Sequence, residues 1–192
     1  AQEELMAALG DRAAEVAPSM SAHSIANTLG AYAELGVAPS TELLAALAQR
    51  ANDVVGHMTA HDTAVLLRAY AKLGEEPGDV LLRSLSHRAE QVAPSMEADD
   101  VAHALEAFAL LGKSPGEPLL AALSARVQKI APRLDATGIA ATFAAFATLG
   151  HEPTAPITAA LVARGLQVAG AMTASEVVRT LDAFASWRKQ PG

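Results

Sequence analysis

Arginine recurs at one spacing in this chain: Arg12, Arg50, Arg88, Arg126 and Arg164 stand 38 residues apart. Guanidinium groups in such a line can contact phosphates, or they can lay their stems on a core and bond a carbonyl or acid of a neighbouring unit. On a helical wheel each lies about 40 to 60° from the centre of the apolar stripe, at its border, and both roles stay open there. Beside the ladder run columns that vary: Asp11, Gln49 and His87; Asn52, Glu90 and Gln128; and Glu15, Asp53, Gln91, Lys129 and Gln167. Positions three and four apart share one helix surface, and amides and carboxylates there can read the edges of unstacked bases. Catalytic chemistry finds less support. His57, His61 and Asp62, with His23 one unit before His61, form the best metal-like group, but no H-E-x-x-H spacing exists. No cysteine, G-x-S-x-G or phosphate loop is present. The expectation is a protein that is not an enzyme, with no metal, no cofactor and no small-molecule substrate.

The elements that position these residues follow from the same period. Leu-Gly pairs end at Gly36, Gly74, Gly112 and Gly150, and Pro39, Pro77, Pro115, Pro153 and Pro191 keep the step. Tyr32, Tyr70, Phe108, Phe146 and Phe184 make an aromatic column, and Leu9, Leu47, Leu85, Leu123 and Leu161 an aliphatic one. Within a unit, Leu43, Leu47, Ala51 and Val54 mark one face of a first helix, A. Ser21, Thr59, Glu97, Asp135 and Thr173 then cap a second helix, B, with Asp62, Asp100 and Glu176 as capping-box partners and Glu97 the poorest cap. Met20, Met58, Met96 and Met172 stand before the caps as hydrophobic staples. Helix B buries Ala64, Leu67, Tyr70 and Ala71, and Gly74 supplies the left-handed stop. One helix pair cannot bury both stripes, so the units must stack. The fold expected is all-α: an αα-solenoid of five 38-residue helix-turn-helix repeats over 1–192, with units 1–38, 39–76, 77–114, 115–152 and 153–190. Ala33, Ala71, Ala109, Ala147 and Ala185 give a small column for close helix approach. In the last unit Trp187-Arg188 replaces Leu-Gly ahead of Lys189 and Gln190.

Composition narrows the partners. The chain has 192 residues, a formal net charge of −7 and 4% aromatic content. No apolar run approaches the ~20 residues of a membrane-spanning helix. The negative charge opposes a polyanion, so RNA would have to be held by a local basic stripe. The aromatic column and Phe143 belong to the core, which leaves few rings to stack on bases. Helix B presents a mixed face, with Asn27, Val65, His103, Ala141 and Arg179 in one column and Gly30, Arg68, Glu106, Ala144 and Asp182 in another. Mixed charge and small residues suit a protein partner better than a phosphate track.

The segment Ile25-Ala26-Asn27-Thr28-Leu29, leading to Ala33-Glu34-Leu35-Gly36 and Pro39, and the opening Leu43-Leu44-Ala45-Ala46-Leu47 resemble the octotricopeptide repeat family. That resemblance covers the entire chain. It implies a helical-repeat protein that binds single-stranded RNA in a chloroplast or mitochondrion, acting in transcript stability, processing, translation or ribosome association. With residue 1 an Ala that runs into a helix, a targeting peptide is expected to have been removed or left out. The reading favoured here is RNA binding on the helix A face; the alternative is an interaction scaffold or structural subunit of an organelle multisubunit complex. Kinship, rather than surface physics, tips the balance toward RNA.

Overall fold

The computed structural model describes residues 2–188; Pro191, Lys189 and Gln190 lie outside them. Among the described residues the chain forms ten α-helices in five pairs: α1 (Gln2–Val16) and α2 (Ala22–Leu35), α3 (Thr41–Val54) and α4 (Ala60–Leu73), α5 (Asp79–Val92) and α6 (Ala98–Leu110), α7 (Glu117–Ile130) and α8 (Ala136–Thr148), α9 (Ala155–Val168) and α10 (Ala174–Arg188). The odd helices are the A helices and the even ones the B helices. The architecture is the α-helical repeat solenoid that the period implies.

The link between A and B has a regular chemistry. A single 3₁₀ turn closes each A helix, and Pro18, Pro94 and Pro132 sit at its second residue, where a missing N–H costs least. An extended residue follows, and then the cap. Ser21 accepts from the Ser24 backbone N–H at 3.1 Å and Asp135 Oδ1 from that of Gly138 at 2.8 Å. In the box positions the carboxylates of Asp62, Asp100 and Glu176 accept from the backbone N–H of Thr59, Glu97 and Thr173 at 3.1, 3.1 and 2.7 Å. Met58 and Met96 are fully buried, and Leu134 replaces them in the fourth unit at 4% exposure. At the far end of helix B, Gly36, Gly74, Gly112 and Gly150 take φ of 62 to 70°. A side chain there would meet the steric penalty of the left-handed region. Gly78 and Gly116, also at positive φ, open α5 and α7, a turn role the repeat pattern alone does not reveal.

Packing follows the two columns. Leu47, Leu85, Leu123 and Leu161 are completely buried, and Tyr70, Phe108 and Phe146 nearly so. Leu9 departs from its column: it is 52% exposed, because its equivalents are covered by the unit before them. The B helices form the closer layer, with α2, α4, α6, α8 and α10 lying against one another along their length while the A helices touch more sparsely. Ala69, Ala107, Ala145 and Ala183 are at most 4% exposed and line this layer, and side chains of that size let helix axes approach toward the short end of the usual 8–10 Å range. The Ala33 column is less deeply placed; Ala71 is buried, while its equivalents are partly or more fully exposed. No strand occurs among the described residues.

Candidate functional site

The arginine ladder is built into the stack. Arg50, Arg88 and Arg164 donate through Nε to the backbone carbonyls of Met20, Met58 and Leu134 at 3.0, 2.8 and 2.7 Å, and Arg126 does the same to Met96. In each case the acceptor lies 30 residues earlier, in the linker of the preceding unit, directly before the helix B cap. That carbonyl has left its own helix and has no ladder partner, so a guanidinium from the next unit satisfies it. The second arm of the fork stays on helix A: Arg88 and Arg164 donate through Nη1 to Gln91 and Gln167 at 3.1 and 2.9 Å, while Arg126 Nη2 reaches Glu97 at 3.4 Å. The Arg126 side chain is only 12% exposed. Arg12 has no described unit before it; its side chain is 70% exposed and pairs with Glu15 at 2.7 Å.

The variable helix A columns divide into two groups. Gln49, Asp53, Gln128 and Lys129 are exposed and share the outer surface. Others are tied to neighbours: Asn52 accepts from the Ser84 hydroxyl of the next unit at 3.0 Å, and His87 sits 3.0 Å from Gln91 and 3.7 Å from the half-buried Glu90. Gln91 and Gln167, bonded to ladder arginines, stay exposed. Among the described residues no Tyr, Phe or Trp ring is exposed: Tyr32, Phe143 and Trp187 are 8, 2 and 7% exposed and Phe184 is partly buried. The face therefore has amides and charges, with the His87 imidazole as its exposed ring.

Two contacts across units were not read from the sequence. His23 Nδ1 lies 2.8 Å from Asp62 Oδ1, and His61 Nδ1 lies 2.9 Å from Asp100 Oδ1; a carboxylate can only accept, so the imidazole donates. Each histidine is the second residue of one helix B and each acid holds the capping-box position of the next, which is a spacing of 39. In the last junction Thr137 donates to Glu176 at 2.6 Å in the same relation. Burial works to raise the Asp62 pKa, but hydrogen bonds from His23 and from the Thr59 backbone and hydroxyl outweigh it and hold the carboxyl below its ordinary 3.8. The metal-like group is thus split: His61 faces Asp100, not His23. Among the described residues no cluster of three or more His, Asp or Glu side chains is placed to hold a metal ion.

The helix B surface carries two hollows. Ala141 and Ala144 leave a depression of about 260 Å³ over α8, walled by His103 and Glu106 of α6 and Arg179 of α10. His103 is pushed below the ordinary imidazole pKa, by burial first and by the Arg68 charge second. A second hollow of about 270 Å³ over α2 is bounded by Asn27, Gly30, Val65 and Arg68. Arg68 and Lys72 both donate to Glu34 Oε1, each at 2.9 Å, so these two basic residues are paired with an acid of the preceding unit. No helix among the described residues is long and apolar enough to cross a membrane.

No curated protein matches the chain. A family model does, and it corrects the octotricopeptide resemblance: residues 64–190 match that of RESC6, the RNA-editing substrate-binding complex 6 protein. Leu-Gly stops, a proline after them and a 38-residue step serve the closing and stacking of helix pairs, so those motifs can report the packing problem rather than descent. On the family match, which runs from the second helix of unit two to the end of unit five and covers more than half of the chain, the chain belongs to the RNA-editing substrate-binding complex 6 protein family.

Proposed function

We propose that this chain is a non-catalytic scaffold subunit of an RNA-editing substrate-binding complex, docking other protein subunits on its helix surfaces. The single observation that carries this reading is the placement of the ladder. Four arginines in a row commit their Nε–H to backbone carbonyls of the preceding unit, so that donor of each fork is not free for a phosphate. Three further features support it: the net charge of −7, the lack of exposed Tyr, Phe or Trp rings among the described residues, and the pairing of Arg68 and Lys72 with Glu34 on the helix B face. Family membership supplies the kind of assembly, and a mitochondrion is the compartment that fits it. Chloroplast and ribosome, which came with the earlier resemblance, have no support.

Direct RNA contact is the second reading, favoured by the exposed Gln49, Asp53, Gln128 and Lys129. Fluorescence anisotropy of the purified chain with single-stranded RNA across a salt series separates the two. The scaffold reading expects weak binding at moderate salt, unchanged when Gln49 and Lys129 are replaced by Ala. Tight binding that falls steeply with salt and is lost in those variants would favour RNA and overturn it.

A further inference from the structure

Four of the five B helices carry charged side chains on the outer face; α8 has no charged residue at all. Its outward positions, Thr137, Ala141, Ala144 and Thr148, follow the i, i+4, i+7, i+11 spacing of a single helix face. The equivalents of Ala141 and Ala144 are Val65 and Arg68 on α4, His103 and Glu106 on α6, and Arg179 and Asp182 on α10. The hollow of about 260 Å³ is therefore a trough one helix wide, floored by α8 and walled by α6 and α10. Because α8 has a neighbour on each side, the trough comes from its short side chains and not from an end of the stack. The walls differ in charge: Asp99, exposed, and Glu106, 42% exposed, stand on α6, and the exposed Arg179 stands on α10. His103, between the two acids and lowered in pKa by burial, adds no opposing charge at neutral pH. Arg68 also lines the trough, 2.9 Å from Glu34 and 3.6 Å from Glu106. Of four buried side-chain polar atoms without a hydrogen-bond partner among the described residues, two belong to these walls, His103 Nδ1 and Arg68 Nε. Folded proteins leave few such atoms, so their concentration beside one hollow sets it apart from the rest of the surface.

We propose that this trough seats an α-helix of a protein partner, laid along α8, with small apolar residues on its contact face, Lys or Arg on one flank and an acid on the other. The inference rests on the scaffold reading and deepens it by naming the docking place and the kind of segment that docks. From Thr137 to Thr148 the floor runs about 16 Å, or three helical turns. Alanines at its centre admit a helix axis at the short end of the usual 8–10 Å separation. The basic flank lies over α6 against Asp99 and Glu106, the acidic flank over Arg179, and this complementarity fixes which way round the helix sits. Leu110, 53% exposed where the first two units have Glu34 and Lys72, offers an apolar anchor at the α6 side. A nucleic-acid strand fits the trough poorly, because the acidic wall repels phosphate and the alanine floor gives a base no ring to stack on.

Photo-crosslinking in the native complex tests this, with p-benzoylphenylalanine placed singly at Thr137 and at Thr148 and the products mapped by mass spectrometry. The expected result is that both positions crosslink to one segment of one other protein subunit, at residues about 11 apart, with Lys or Arg along one side of that segment. Ala141→Val with Ala144→Arg fills the trough with the side chains that α4 carries at these positions, so full helicity by circular dichroism is expected. That double variant should cut both crosslinks by about tenfold or more, and Asp99→Arg, which leaves the floor open, should weaken them too. Crosslinks to two different proteins, a crosslinked segment with no basic flank, or crosslinks unchanged in the filled variant would overturn the proposal. Silence at both positions, in a complex whose protein partners survive ribonuclease, would remove the trough and leave the scaffold reading standing. Crosslinks to RNA would overturn both.

Discussion

Arg88 shows what one residue can decide. Its bond to the Met58 carbonyl holds the fifth helix to the linker of the previous unit. Bonds from a charged donor contribute roughly 1.5–3 kcal/mol, and the carbonyl would be left unsatisfied as well. Arg88→Ala should therefore lower the stability found by urea unfolding by about that amount, with partner binding unchanged in what remains folded. Wheel arithmetic put the arginines at the border of the core, but which carbonyl or phosphate they meet depends on the offset between units, and a single helix does not encode that. Tyr70 makes the opposite point. Its hydroxyl is buried without a hydrogen-bond partner, and burial, with Glu75 adding, pushes its pKa up to about 12. Phe108 and Phe146 fill the same column without a hydroxyl. Tyr70→Phe should leave stability equal or higher by thermal melting, since removing an orphaned polar atom releases its desolvation penalty. The identity of the column as core was legible; its unpaired hydroxyl was not, because pairing depends on atoms of three helices.

Asp62 acts on whole elements, ending one capping box and clasping α2 to α4. Its carboxyl titrates lower in the folded protein than in the unfolded chain, so its stabilisation is present above the unfolded value of 3.8 and is lost as pH falls through the folded one. Asp62→Asn should cost about 1.5–3 kcal/mol near neutral pH, and its unfolding curve should approach that of the parent as both are acidified below 3.8. The capping box was legible because Thr59 and Asp62 are three residues apart, a local signature. The clasp was hidden because its partner lies 39 residues earlier, and the period of 38 draws the eye to like positions instead of neighbouring ones. Element boundaries were legible for the same local reason, since the glycine stops and caps declare themselves within a few residues. The 3₁₀ turn and the glycine openings of α5 and α7 were not, because neither breaks the apolar stripe.

At the scale of the molecule, stability is close to a sum of units and junctions. Deleting residues 77–114 as one unit keeps the ladder register, since Arg126 then faces Met58. The shortened chain should stay fully helical by circular dichroism and melt at a lower temperature; loss of helicity would mean that the five pairs fold only as one body. The architecture was readable because the period repeats without an insertion, which no compact fold requires. The family was not, because stacking demands alone produce the motifs that suggested another one. The proposed scaffold role rests on the surface being directed at proteins. The measurement that tests this most directly is purification of the native protein with its partners, with and without ribonuclease, followed by protein identification. The account predicts the same set of protein partners after ribonuclease; partners that vanish on digestion, leaving the chain alone with its protected RNA, would contradict it.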